Sequence, residues 1–234
     1  MTHDSDFERN WLRKFADCLQ HRAGPDVRDR IMQGSEGLTA ASSRDEVVSW
    51  SRAAMERLEQ LVPDENGRRD IMTACACQYP RTQLAPIREA YEETHDVDLA
   101  HQMLQGQSES LLRHTLQLTE ALIQDIVERG WGSAGVKHGN TIVATKIPKS
   151  GHLLEYMHTE DPQARRQLYC HCPRVRDALK TNESLPRTYC YCGAGFYKGI
   201  WEEILQQPVQ VEVLESVLDG GDVCTIAIHL PESP

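Results

Sequence analysis

Eight cysteines dominate the chemistry open to this 234-residue chain, and six of them fall into three Cys-x-Cys pairs: Cys75/Cys77, Cys170/Cys172 and Cys190/Cys192. The other two are Cys18 and Cys224. Random scatter of eight cysteines over 234 positions yields well under one such pair, so the pairing calls for a reason. The opening residues 1–6 carry neither the basic region nor the apolar run of an export signal. A cytoplasmic location is therefore expected, and metal or thiol chemistry takes precedence over disulfides.

Metal binding is the first chemistry to consider. Thiolates hold zinc at about 2.3 Å in a tetrahedron, which places ligand sulfurs only about 3.8 Å apart. Residues i and i+2 of an extended strand lie nearly 7 Å apart on one face. A Cys-x-Cys pair must bend to share one ion, and Pro173 and Gly193 directly follow two of the pairs. Cys170, Cys172, Cys190 and Cys192 are therefore the expected ligands of a zinc ion, with an iron–sulfur cluster as the alternative cofactor. Cys75 and Cys77 either join that site or are small core residues at a helix end. Cys18 reads as core, and Cys224 as either core or site.

Thiol catalysis is the second. Cys190 or Cys224 could attack a C–N or C–S centre, with Glu215 or His171 moving protons. His171 lies between two cysteines, though a solvent-facing turn residue would look the same. Trp131, Phe196, Tyr197 and Trp201 are the expected apolar wall of a pocket for a small organic molecule.

The elements that must position these residues divide the chain into a helical region, 1–136, and a cysteine-rich α/β region, 137–234, which together could form one compact domain. Ser5/Glu8 and Ser43/Glu46 have capping-box spacing. The first opens a stripe of Phe7, Trp11, Phe15 and Leu19, and the second a helix ending at Pro63. The strongest period predicts a helix from Ser108 to Gly130, which could support a homodimer. Beyond it, Asn140–Ile147 is rich in β-branched residues, and Asp161-Pro162 looks like a helix start. Ala194–Gln206 reads as a helix beginning directly after Cys192. Strands 209–213 and 223–230 follow, joined by Asp219-Gly-Gly-Asp222. That turn would set Glu215 opposite Ile226, on the face of Val209, Val211 and Val213. There its carboxylate would need a partner, a metal or a raised pKa, unless the sheet edge leaves it in water. The expected fold is α+β: a helical N-terminal half packed on a C-terminal unit with a small, mainly antiparallel sheet.

Net charge is −10, which argues against a nucleic-acid surface. No stretch approaches the roughly 18 apolar residues of a membrane helix. Small-molecule chemistry remains.

Tyr189-Cys190-Tyr191-Cys192-Gly193-Ala194-Gly195-Phe196, with the helix, Val-x-Val strand, Gly-Asp turn and Cys224 strand that follow, resembles the C-terminal part of the 4-vinyl reductase-like small-molecule-binding domain. The segment 165–230 is also similar to cysteine-rich bacterial relatives of that domain, akin to L-2-amino-thiazoline-4-carboxylic acid hydrolase-like proteins. The resemblance implies ligand binding, or hydrolysis of a small cyclic substrate. In one branch of that family, cysteines and a glutamate hold zinc. Cys190 and Cys224 fall at two of those cysteine positions. Ser216 stands at the third, and the glutamate position is flanked by Glu212 and Glu215 but not filled. A metal here would have to draw on Cys170, Cys172 and Cys192 instead.

Overall fold

The computed structural model describes residues 7–181 and 184–231. Seven helices precede the sheet: α1 (Phe7–Ala23), α2 (Pro25–Met32), α3 (Arg44–Leu61), α4 (Glu65–Ala74), α5 (Arg81–Thr94), α6 (Val97–Ser110) and α7 (Glu120–Glu128). Strands β1 (Val136–His138) and β2 (Thr141–Thr145) follow, then short helices α8 (Leu153–His158), α9 (Pro162–Tyr169) and α10 (Pro173–Ala178). The chain closes with α11 (Tyr191–Leu205), β3 (Gln210–Glu215) and β4 (Thr225–His229). The four strands form one antiparallel sheet in the order β1-β2-β4-β3. The fold is α+β, with the sheet confined to the C-terminal half.

Both halves share one apolar core, which runs from Trp11 in α1 to Leu230 beside β4. At its centre lies α11, whose Ile200, Trp201 and Ile204 are fully buried. It packs against α4 and α5 on one side and β3 on the other. Contact with α4 is so close that a Cβ on Gly195 would stand 2.0 Å from the Thr73 carbonyl oxygen. No helix among the described residues is long and apolar enough to cross a membrane.

Local signals account for several boundaries. The Ser43/Glu46 capping box forms, with the Ser43 N–H donating to Glu46 Oε2 at 2.8 Å. Asp161 caps α9 by accepting from the Ala164 N–H at 2.7 Å. Gly130 adopts the expected left-handed conformation, φ 65°.

Other expectations change. No single helix spans 108–130: α6 ends at Ser110, a π-turn covers Leu111–Thr115, and Gln117 turns left-handed at φ 53°. Thr119 then caps α7 through the Leu122 N–H. The apolar period is shared by two elements at different angles, and a homodimer cannot use a continuous helix there. Ser5 lies outside the described residues. Glu8 is a buried carboxylate that accepts from Arg174 and Arg44. Helix α11 starts at Tyr191, so Cys192 is inside its first turn rather than before it.

The terminal hairpin is shifted. Val217–Asp219 form a 3₁₀ turn, and an irregularity between Val213 and Glu215 sets Glu215 opposite Thr225, with Val213 opposite Ile226. Glu215 is half-buried, and its Oε1 accepts the N–H groups of Asp222 (3.0 Å) and Val223 (3.4 Å). The carboxylate holds the turn closed. Gly221 makes room for it, since a Cβ there would come within 2.7 Å of Glu215 Cγ.

Candidate functional site

A cavity of about 510 Å³ opens between the sheet, α1, the start of α11 and the link between α9 and α10. Six cysteines border it: Cys77, Cys170, Cys172, Cys190, Cys192 and Cys224. They arrive from four places in the chain. Cys77 follows α4, Cys170 and Cys172 flank His171 between two helices, Cys190 and Cys192 open α11, and Cys224 precedes β4. Trp131, Phe196 and Tyr197 complete the apolar wall as expected, joined by Trp11.

Three expected residues stand elsewhere. Cys75 is buried behind the wall, its Sγ 3.1 Å from the Ile71 carbonyl and in contact with the Cys18 sulfur. Trp201 is fully buried under His101, 6.3 Å between ring centroids, because its helix position points into the core. Glu215 serves the hairpin turn.

Backbone conformation explains how the cysteine pairs spread. Pro173 begins α10, and the residue before proline is driven from the helical region. Cys172 accordingly has φ −71° and ψ 120°, and Cys170 φ −73° and ψ 139°. The chain bends at His171 as expected, while Cys170 and Cys172 on either side are themselves extended. Cys190 is helical at φ −68°, ψ −16°, and on a helix i and i+2 diverge. Cys190 Sγ meets Ser216 Oγ at 2.9 Å, whereas Cys192 Sγ donates toward the Cys75 carbonyl at 3.8 Å. Among the described residues, no three His, Cys, Asp or Glu side chains stand together as metal ligands. The donors suit zinc or an iron–sulfur cluster in kind, but in this arrangement the sulfurs are not gathered around one point.

What the arrangement does gather is a group of residues around Cys224. Ser216 Oγ accepts the Leu218 N–H at 3.1 Å and lies 2.9 Å from Cys190 Sγ. The Cys224 sulfur neighbours Cys190 and the Val217 backbone, both of which influence its charge. The Cys190 thiol is the largest influence on Cys224, and Lys146 adds to it against the effect of burial. Together they lower the Cys224 pKa to about 7, and the same contact with burial pushes Cys190 well above its usual value. Of the two sulfurs, the environment thus favours negative charge on Cys224.

Lys146 supplies the cation. Burial opposes its charge, while the sulfurs of Cys170, Cys224 and Cys172 and the Tyr197 oxygen favour it; the balance holds its pKa above the ordinary lysine value. Among the described residues no carboxylate pairs with it. By contrast, burial pushes Cys170 and Cys192 up to about 12, so they are neutral thiols. His171 borders the cavity and is exposed there; desolvation by the neighbouring protein, with Lys146 assisting, holds its pKa below the ordinary imidazole value. Its Nε2–H donates to the Ile147 carbonyl at 2.8 Å, leaving Nδ1 as an acceptor.

Sequence reading missed Lys146, Trp11 and Tyr189 as wall residues. Trp11 carried a signal, the apolar stripe of α1, but that stripe says only that it is buried. Tyr189 adjoins Cys190 and lies 3.5 Å from Cys172 Sγ through its hydroxyl. Lys146 follows a strand and has no local mark distinguishing it from a solvated lysine.

Residues 156–233, about a third of the chain, match the model of a family of unknown function, DUF6144. The matched segment contains Cys170, Cys172, Cys190, Cys192 and Cys224 but neither Cys77 nor Lys146. No curated protein and no solved structure matches the chain.

Proposed function

We propose that this chain binds a small organic molecule in the thiol-lined cavity and reacts with it through Cys224. The observation that carries this reading is the Cys190–Cys224–Lys146 arrangement: a thiolate with a thiol donor and a cation, facing a cavity of small-molecule size. An apolar chamber with few polar groups favours such a ligand and strengthens charge interactions inside it. Hydrolysis of a C–N or C–S bond in a small cyclic substrate fits these parts. The Cys224 sulfur would add to the electrophilic carbon and the Cys190 thiol would protonate the departing nitrogen or sulfur. Water, with its proton accepted at His171 Nδ1, would then release the acyl group.

The test is site-resolved alkylation. Iodoacetamide at pH 7 should modify Cys224 several-fold faster than the other cavity cysteines, as located by peptide mass mapping. Equal rates at all of them would overturn the reading.

A second reading is supported by the number of sulfurs on one wall: the cavity binds a soft metal ion, zinc or an iron–sulfur cluster, after the side chains rotate inward. Elemental analysis and a visible spectrum of protein purified without oxygen decide it. About one zinc per chain without colour, or a brown iron-containing protein, would favour that reading. Less than about 0.2 metal per chain would remove it.

A further inference from the structure

We propose that Cys190 and Cys224 form an attacking and resolving pair that reduces small-molecule disulfides in the cavity. The inference rests on the reactive-thiol reading above and adds to it a second thiol, a substrate class and a redox outcome.

A single reactive cysteine ends its reaction with a disulfide as a mixed disulfide, unless a second thiol can reach the modified sulfur. Cys190 Sγ lies 2.9 Å from Ser216 Oγ, the turn residue that also neighbours the Cys224 sulfur, so that of the cavity cysteines these two are brought together by one turn. Cys190 comes from the start of α11, while Cys224 comes from the end of the hairpin loop, so the pair joins two separate elements. Ser216 and Val217 hold both sulfurs from the intervening turn. The adjoining cavity, about 510 Å³ and walled largely by apolar side chains, accommodates a compact disulfide but not a folded protein partner.

The chemistry balances. The Cys224 sulfur attacks one sulfur of R–S–S–R, the S–S bond breaks, and one R–S⁻ leaves with Cys224–S–S–R formed. The leaving thiolate takes the proton that the Cys190 thiol releases. Cys190 sulfur then attacks Cys224, a Cys190–Cys224 disulfide forms, and the second R–S⁻ departs and is protonated from water. Two electrons pass from the protein to the substrate, which becomes two R–SH. Lys146, beside Cys224, stabilises negative sulfur in both steps. A monothiol reductant would return the pair to its starting state by the reverse exchange.

The probe is bis(2-hydroxyethyl) disulfide, mixed anaerobically with the reduced full chain and followed by intact mass and peptide mapping. Wild type should release two equivalents of 2-mercaptoethanol per chain and become lighter by two hydrogens, with the new bond mapped to Cys190–Cys224. Cys190→Ser should release one equivalent and retain the half-disulfide on Cys224, and Cys224→Ser should do neither. Circular dichroism of both variants verifies folding, and Cys190→Ala serves if the serine variant does not fold. A persistent mixed disulfide on wild-type Cys224, or resolution mapped to Cys170, would overturn the pair while leaving Cys224 as the reactive thiol. No reaction of Cys224 with either the disulfide or iodoacetamide would overturn both readings.

Discussion

Lys146 donates its backbone N–H to the carbonyl of Cys224 at 2.8 Å, continuing the ladder between β2 and β4 by one step. The Tyr169 hydroxyl locks the same two residues. It donates to the Lys146 carbonyl and accepts the Cys224 N–H at 2.9 Å. Cys224 and the half-buried Lys146 are thus set side by side by backbone hydrogen bonds, not by their own side chains. Changing either side chain should leave the frame intact, which makes the site open to clean dissection.

Replacement of Lys146 by methionine keeps the length and apolar stem and removes the charge. The ammonium lowers the Cys224 pKa, so its loss should raise the pH midpoint for alkylation of Cys224. A rise of about one unit from about 7 corresponds to roughly fivefold less thiolate at pH 7. The measurement is the iodoacetamide rate at Cys224 against pH for both proteins. An unchanged midpoint would mean that Cys190 and Val217 alone set the thiolate.

Stability should also depend on pH through this sulfur. Cys224 ionises at about 7 in the folded chain against a reference of 9.0. Below about 7 both states are protonated and nothing is gained; between about 7 and 9 the unfolded state holds the extra proton, so stability rises with pH. The raised pKa of Cys190 acts in the opposite sense above about 9, where the unfolded thiol ionises and the folded one does not. Urea melts under reducing conditions should therefore show stability climbing from pH 6 to a maximum near pH 9. Cys224→Ser should reduce the climb, leaving the part that comes from Cys18, whose pKa the Cys75 contact also lowers to about 7. A wild type whose midpoint falls over that range would show the linkage to be wrong.

The close approach of α11 to α4 gives a prediction about the frame itself. Gly195→Ala puts a methyl group 2.0 Å from the Thr73 carbonyl oxygen and 2.7 Å from Thr73 Cα. Backbone cannot yield as a side-chain tip can, so the two helices must separate. The expected loss is on the order of 3 kcal/mol, the scale of a severely overpacked core. Gly199→Ala, one turn on with open space around it, should cost little or even stabilise the helix. Chemical denaturation of the two variants compares them directly.

How far the sequence anticipates this molecule varies with the range of the interaction. Capping at Ser43 and Asp161 depends on residues three apart and was readable. So was the general course of the last helix and two strands, since their periods are local. The break near Gln117 was hidden because the apolar spacing of Leu111, Leu112, Leu118 and Leu122 continues through it. Cys-x-Cys spacing marked the cavity, and six of the eight cysteines reach it. Spacing alone could not say that one pair is extended and another helical. The position of Lys146 depends on pairing β2 with β4, which are separated by about 80 residues along the chain, and nothing near Lys146 signals that pairing.

Beneath the cavity wall, Glu8 and Arg174 form an ion pair whose side chains are 6% and 0% exposed. Arg44 Nη1 also donates to Glu8 Oε1 at 3.1 Å, and the Arg174 guanidinium lies 4.1 Å from the centre of the Trp11 ring. Trp11 in turn stacks on Tyr189, so this pair supports two residues of the wall. Removing one member of a buried pair is expensive, because the remaining charge loses this partner while staying shielded from water. Glu8→Ala should therefore destabilise the chain by about 3–5 kcal/mol, more than Glu65→Ala, whose bond to Arg69 lies at the surface and is worth well under about 1 kcal/mol. The double variant Glu8→Ala/Arg174→Met should recover part of the loss, since it removes the charge that the single variant leaves buried. Urea denaturation of the three variants at pH 7 measures both terms. A double variant no more stable than Glu8→Ala would show that Arg174 contributes through packing on Trp11 and not through its charge.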